Sequence, residues 1–389
     1  MTDPNLREYA TDRQWEILEA IDLNGSQRAA ARALKIDFAT VNKAFHAVNK
    51  KAAARGYSPE HDYKRPVPDG FKLRGVSSYY GKDGDLRGQW VKSQVDRERQ
   101  EEILLEAMQA FASTLPRVEP TPAPGETSDA LMACYPIGDH HLGMLAWDEE
   151  TGGDNYDLSI GEQRLVGAID HLVATMPPCS ESAVVFLGDF LHYDGHESVT
   201  PASGHQLDSD SRFSRMVRVA IRCLRYTVEA AKKRHAKVRV IVARGNHDPA
   251  SSVLMREALA ALYEGEPRVE VDVSPRAFHF IEFGANLIGV HHGDKVKPND
   301  LPLLLATDRP AEWGRTKYRA WWTGHVHHDQ VKDFPGCTVE SFRVLPPGDA
   351  WHSESGYRAM SDMKAILLHR DFGEVSRNKV NPAMLAAAG

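Results

Sequence analysis

Cysteine is scarce in this chain of 389 residues, and the four that occur, Cys134, Cys179, Cys223 and Cys337, are widely spaced and never form a C-x-x-C pair. That excludes a disulfide framework and a thiolate zinc site, and it marks the four as expected core thiols. Long apolar runs are missing too. None approaches the roughly 20 residues of a membrane-spanning helix, and the opening MTDPNLREYATDRQW lacks the basic-then-apolar layout of a secretory signal. A cytoplasmic chain with no membrane partner is expected. There is no internal repeat and no bias toward disorder: apolar residues make up 42% and charged residues 26%, near globular averages. A chain of this length then implies two domains, one of them large.

The net charge of −7 argues against a nucleic-acid partner until its placement is considered. Between Asn24 and Ser58 stand Arg28, Arg32, Lys35, Lys43, Lys50, Lys51 and Arg55 against Asp37 alone, a locally basic segment. The same segment reads as helices. Thr11 is placed to cap a helix from Asp12 to Ile21, Asn24-Gly25 is a turn, and Ser26 opens SQRAAARAL. A third run, FATVNKAFHAVNKKAAA, carries Phe38, Val41, Phe45 and Val48 on one stripe. From Phe71 to Ser93 two strand-like runs flank Gly81-Lys82-Asp83-Gly84-Asp85, a hairpin signal. An acidic helical run, DRERQEEILLEAMQAFASTL, precedes the Pro-rich PRVEPTPAPGETSD, which reads as a linker.

This layout resembles the helix-turn-helix family of DNA-binding domains, in which the helix after the turn enters the major groove. The resemblance implies that Thr40, Asn42, Lys43 and His46 face bases or phosphates and that Arg28 and Lys50 touch the backbone. The plainer alternative is a three-helix bundle with a solvated basic face. The expected organisation is a helix-turn-helix-like module with hairpin over 1–93, a helix and linker over 94–129, and a larger domain over 130–389.

After Asp129 short apolar strands alternate with helices: LMACYPI, SIGEQRLVGAIDHLVATM, SAVVFLG, a long helix near SRFSRMVRVAIRCLRYTVEAAKKRH, then KVRVIVA. Such alternation predicts an α/β layered fold. Beyond Arg268 the strands RVEVDV, AFHFIEF, NLIGVHH, YRAWWTG, CTVESFRVL and MKAILLHR crowd together, as in a second sheet with hairpin connections. The fold class expected is α/β, a two-sheet β-sandwich flanked by helices. Trp321 and Trp322 fall inside such an apolar run and are expected in the core.

Histidine, by contrast, is plentiful at 18 residues, and it gathers beside Asp, Asn and Gly at strand ends. Five short motifs terminate these runs: Gly138-Asp139-His140-His141, Gly188-Asp189-Phe190-Leu191-His192, Gly245-Asn246-His247-Asp248, His291-His292-Gly293-Asp294 and Gly324-His325-Val326-His327. Strand ends in layered α/β folds are where ligand crevices form. In extended chain, residues i and i+2 share a side, so Asp-x-His and His-x-His can each aim two ligands at one place. Carboxylate, imidazole and amide oxygen together suit divalent Mn, Fe or Zn. Seven such ligands overfill one ion, whereas a carboxylate such as Asp189 can bridge two ions about 4 Å apart.

In this order the five motifs resemble the calcineurin-like metallophosphoesterase superfamily. The resemblance implies that Asp139, His141, Asp189 and His327 hold one metal, and that Asp189, Asn246, His325 and one of His291 and His292 hold the other, with His292 preferred. Two divalent ions, Mn2+ foremost, are the implied cofactors. His247 would face the leaving group, with His192 or Asp248 orienting it, and a metal-bound hydroxide would be the nucleophile. His140, His328 and Asp294 stand outside the pattern, as supporting or solvent-facing residues. The form GDFLHYDG differs from the Gly-Asp-x-x-Asp-Arg-Gly of the serine/threonine phosphatase branch and is similar to the double-strand-break repair nuclease branch. A DNA exonuclease or endonuclease is therefore the leading expectation. A small-molecule phosphodiesterase and a DNA-binding regulator with a residual metal site stay open, as does a homo-oligomer.

Overall fold

The computed structural model of the chain describes residues 3–58, 63–64, 71–81, 83, 85–95 and 117–388, and it divides into two compact units, Met1–Ala107 and Met108–Gly389. The acidic helical run expected over residues 96–115 lies outside the described residues, as do Lys82 and Gly84 of the hairpin turn.

In the first unit a 3-10 turn (Pro4–Tyr9) leads to α1 (Asp12–Asn24), α2 (Gln27–Ala33) and α3 (Phe38–Ala54). The starts follow from capping chemistry. The Thr11 hydroxyl accepts from Gln14 N while the Gln14 side chain accepts from Thr11 N, a reciprocal capping box. Ser26 accepts from Ala29 N at 3.2 Å, and Gly25 ends α1 in the left-handed region at φ 72°. Ile17 and Leu18 pack on Val41, Ala44, Val48 and Ala52.

The inward stripe of α3 therefore differs from the expected one. Phe38 is 42% exposed beneath the Arg28 guanidinium and Phe45 is half-buried, while alanines let the helices approach. Short strands β1 (Tyr57–Ser58) and β2 (Tyr63–Lys64) pair, and β3 (Phe71–Tyr80) and β4 (Leu86–Val95) form the antiparallel ribbon that the hairpin signal predicted.

In the second unit the described strands form two sheets. The first, in the order β15-β14-β5-β6-β7-β8, contains β5 (Ser128–Ile137), β6 (Cys179–Phe186), β7 (Lys237–Val242), β8 (Val269–Val271), β14 (Met363–His369) and β15 (Gly373–Val380). Strands β5 to β8 run parallel; β14 and β15 are antiparallel additions. The second sheet, in the order β12-β13-β11-β10-β9, contains β9 (His279–Phe283), β10 (Asn286–Val290), β11 (Tyr318–Thr323), β12 (Gln330–Phe334) and β13 (Cys337–Ser341).

Two expectations are corrected here. The RVEVDV and MKAILLHR runs belong to the first sheet, and within the second sheet hairpins join only β9 to β10 and β12 to β13, since β10, β11 and β13 are parallel neighbours. Parallel neighbours need a crossover, which α8 (Leu301–Asp308) and α9 (Pro310–Arg315) supply between β10 and β11. The earlier helices are α4 (Asp148–Thr151), α5 (Leu158–Thr175), α6 (Phe213–Arg234) and α7 (Pro249–Tyr263), and α10 (Ala350–Glu354) and α11 (Pro382–Ala388) follow.

Strand β5 shows why these runs are continuously apolar. Met132 and Cys134 face the second sheet with Ile281, Val290, Trp322 and Phe342, while Ala133 and Tyr135 face Leu165, Ile169 and Leu224 of α5 and α6. A strand covered on both faces has no solvent side to make polar. Trp321 points the other way, into Leu287, Leu301 and Leu305, and its indole N–H donates to the Leu301 carbonyl at 2.7 Å. All four cysteines are buried and free, as expected.

The described part of the expected linker is not a loose tether. Val118 N donates to the Leu262 carbonyl at 2.7 Å, and Thr121 bonds the buried Glu266 carboxylate through N and Oγ1 at 3.0 Å each. No helix among the described residues is long and apolar enough to cross a membrane.

Candidate metal centre

Each of the five motifs begins within three residues of a strand end, after β5, β6, β7, β10 and β11. The parallel strands of both sheets thus deliver them to one end of the sandwich. The local backbone is not the extended chain expected. Asp189 (φ 48°), His141 (44°), His325 (69°) and His327 (56°) are left-handed, and Lys35 is the one other such non-glycine among the described residues. Left-handed backbone costs roughly 1–2 kcal/mol per residue, and it concentrates where surrounding structure enforces a site. Sharp turns rather than strand alternation therefore aim these side chains.

Glycines make the crowding feasible. A Cβ at Gly245 would lie 2.0 Å from Asp189 Oδ1, and one at Gly324 would lie 2.2 Å from Asp139 Oδ1. Only a residue without a side chain fits.

Two ligand groups result. Asp139, His141 and His327 place one donor atom each within 4.8 Å of one another, and so do Asp189, His292 and His325. Within the first, His327 Nε2 is 2.9 Å from Asp139 Oδ2 and 3.3 Å from His141 Nε2. Within the second, His292 Nε2 is 3.2 Å from Asp189 Oδ2 and 2.9 Å from Asn246 Oδ1. His292 Nδ1 lies 3.9 Å from Asp139 Oδ1, so the groups adjoin.

His291 takes no part in either. It stacks on Phe278 at 4.8 Å, and its Nδ1 accepts from Gly293 N. Of the two expected candidates, His292 is the one that faces the centre.

The donors fit a pair of divalent ions. Asp139 and Asp189 are buried carboxylates at 0% and 2% exposure, and Asp139 Oδ1 has no hydrogen-bond partner at all. Buried carboxylates held side by side demand a compensating cation. Burial lowers His292, but Asp189 and Asp139 outweigh it and lift the imidazole to about 10. Burial raises Asp189, and His292 brings it down to about 2. His141 is driven well below its ordinary value by burial and by His247 and His327 beside it, so it stays neutral with a lone pair to give.

His247 lies at the rim, half-buried. Its backbone N–H donates to Asp189 Oδ1 at 2.7 Å, and its ring Nδ1 is 2.8 Å from the carbonyl of His192. The His192 backbone thus orients it. Asp248, the expected alternative, is instead occupied by three backbone N–H groups, those of Phe190, Leu191 and Gly245, and so ties motif two to motif three. The His192 ring is buried, its Nδ1 3.2 Å from His141 Nδ1 and its Nε2 unpartnered, and burial lowers it to about 3. His141, His192 and His247 form a third cluster of donors. His140 is structural, with its Nε2 on the Gly161 carbonyl at 2.9 Å; His328 is exposed, and Asp294 is largely buried.

Two features were missed from sequence. Asp194 clamps the start of α7 through Ala250 N and through Ser251 N and Oγ. Asp349 holds His352 Nδ1 at 2.6 Å, and the His352 ring stacks on His327 at 5.1 Å. Neither belongs to a recognisable motif.

In the first unit Arg28, Thr40, Lys43, His46 and Lys50 are exposed and Asn42 is half-buried. None of the six belongs to the buried core of the helices.

Strand-end carboxylates and imidazoles on a two-sheet sandwich define a metallophosphoesterase. The chain belongs to the calcineurin-like phosphoesterase family, whose model matches residues 137–360. Solved structures similar to it include a predicted phosphoesterase from Streptococcus pneumoniae (13% identity, 65% of this chain and 99% of that one, TM-score 0.28). An archaeal phosphodiesterase (13%, 64% and 99%, TM-score 0.32) and the phosphoesterase Yfce from E. coli (12%, 64% and 98%, TM-score 0.31) are also similar. No curated protein matches the chain.

Proposed function

We propose that the protein is a dinuclear-metal phosphodiesterase that cuts DNA. The observation that carries the esterase chemistry is the convergence of Asp139, His141, Asp189, Asn246, His292, His325 and His327 from five strand ends. Asp139, His141 and His327 would hold one ion and Asn246, His292 and His325 the other, with Asp189 a ligand shared by the two sets. Oxygen and nitrogen donors without thiolate fit Mn2+, with Fe or Zn as competitors. When bound, the ions supply an activated water and neutralise the phosphate oxygens.

The protein's own groups do the rest. The bond from His247 Nδ1–H to the His192 carbonyl fixes the ring, and its other nitrogen is the group that passes a proton to the departing ester oxygen. The buried Asp248 clamp keeps motifs two and three in register, so that Asp189 and Asn246 meet at one place. The oxygen of water adds to phosphorus as the P–O ester bond breaks, the leaving oxygen takes the proton from His247, and the proton shed by the water passes to solvent, from which His247 is reprotonated.

DNA as substrate is supported by the first unit. Arg28, Lys43 and Lys50 present cations to solvent on helices arranged in helix-turn-helix order, with Thr40, Asn42 and His46 beside them. The test is Mn2+-dependent hydrolysis across linear DNA, circular DNA and cyclic nucleotides, with Asp189→Ala as the inactive reference. Turnover of DNA lost in Asp189→Ala supports the reading. Turnover of cyclic nucleotides alone overturns it in favour of a small-molecule phosphodiesterase.

A further inference from the structure

Beyond the fifth motif, α10 and the turn after it carry side chains that neither the metal sets nor the fold's core use. Trp351 is 61% exposed, Tyr357 56% and Met360 71%. Large aromatics in water are costly by about 25 cal/mol for each Å² of apolar surface, and a cluster of them beside a catalytic centre marks a binding surface.

These two rings are also held in place. Trp351 and Tyr357 stack at 5.7 Å and 24°, and both pack edge-on against His352, at 5.1 and 5.8 Å. His352 is itself fixed, because Asp349 accepts from its backbone N–H at 2.9 Å and holds its Nδ1 at 2.6 Å. The Ser353 hydroxyl ties the helix to the Thr151 carbonyl of α4 at 2.9 Å. Two ring-to-ring steps of 5.1 Å each lead from His327 through His352 to Trp351.

We propose that Trp351 and Tyr357 form a stacking platform for a nucleobase of the substrate, seated through His352 against the metal-binding imidazole of His327. The proposal rests on the phosphodiesterase reading and narrows it. A phosphoryl group held at the two ligand sets carries its organic substituent away from the ions, and this pair of rings is an exposed aromatic surface reached from His327 through His352. Of the substituents a phosphodiester carries, a nucleobase is the one with a planar face one sugar removed from phosphorus. Stacking on aromatic side chains tolerates any base, which suits an enzyme whose sequence preference, if any, lies elsewhere.

The test uses the full chain with Mn2+ and two esters that share a leaving group: thymidine 5′-(p-nitrophenyl phosphate) and methyl p-nitrophenyl phosphate. Trp351→Ala is expected to raise KM for the thymidine ester about tenfold, the order for one lost stacking contact, and to leave the methyl ester unchanged. Trp351→Phe, which keeps a ring, is expected to restore most of the loss. Equal losses on both esters, or none on either, overturn the platform.

Failure of the wild type to cleave either ester would instead refute the phosphodiesterase reading. The platform is then decided by thymidine 5′-monophosphate alone. Quenching of tryptophan fluorescence in the wild type that is absent from Trp351→Phe supports it; equal quenching in both, or none, overturns it.

Discussion

His292 Nδ1 lies 2.9 Å from the carbonyl oxygen of Leu187, the residue just before motif two. That bond fixes the tautomer, so Nε2 is the atom offered to Asp189, Asn246 and an ion. His291, one residue earlier, spends its Nδ1 on Gly293 and its ring on Phe278. His292→Ala is expected to lose one equivalent of bound Mn2+ and to lower kcat on the order of 100-fold or more. His291→Ala should keep both ions and most activity. Metal content by elemental analysis, read beside turnover, separates the two, and a metal-depleted His291→Ala would reverse the assignment.

Gly245 admits no side chain because its missing Cβ would occupy the space of Asp189 Oδ1. Gly245→Ala should push Asp189 out of place and weaken Mn2+ binding by about 10- to 100-fold, the range for disturbed ligand support. Gly314, inside α9 with nothing within 4 Å of the place a methyl group would take, is the control. Gly314→Ala should leave metal binding intact and raise stability by up to about 1 kcal/mol. Calorimetric titration of both variants decides this, and normal Mn2+ affinity in Gly245→Ala would refute the packing account.

His235, just before β7, sets a pH dependence of stability. Its Nδ1 accepts from Cys179 N at 3.2 Å and its Nε2 meets the Tyr135 hydroxyl at 2.6 Å, while burial lowers it to about 4. The unfolded ring titrates near about 6.5, so acid favours the unfolded chain. The contribution is complete above about 6.5 and is lost as pH falls toward about 4, at up to about 1.4 kcal/mol per pH unit. His235→Gln should be less stable at neutral pH yet show a flatter profile between pH values of about 6.5 and 4.5. Parallel urea-unfolding profiles for the two proteins would contradict this.

Lys43 and Lys50 are exposed on α3. If they meet phosphates, Lys43→Ala and Lys50→Ala in the full chain should each weaken DNA binding for every sequence and reduce the salt slope by about one counterion. Asn42→Ala should alter base preference more than salt slope. An unchanged slope in both lysine variants would leave the first unit without a DNA-binding role.

Much of this was legible in the sequence because it rests on local chemistry. The capping box at Thr11 and Gln14, the turn at Gly25 and the motifs after β5, β6, β7, β10 and β11 all depend on neighbours a few residues away. Sheet membership was not legible. MKAILLHR and NLIGVHH look alike as sequences because both strands are buried, and only the pairing of β14 with β5 places the first in the six-stranded sheet. The Asp349–His352 pair was invisible for a similar reason: its meeting with His327 depends on packing against α4 across some two hundred residues of chain, which no short pattern encodes.

Which residue types can bind cations, and at which strand ends they sit, is written in local sequence, since apolar runs, glycines and turn formers act over a few residues. Which atoms meet is a matter of long-range packing. It chose His292 over His291, turned Asp248 into a backbone clamp and set a histidine from beyond the last motif against His327. The reason is geometric: sharp turns at the strand ends aim these side chains, and what each then touches is set by elements distant in the chain.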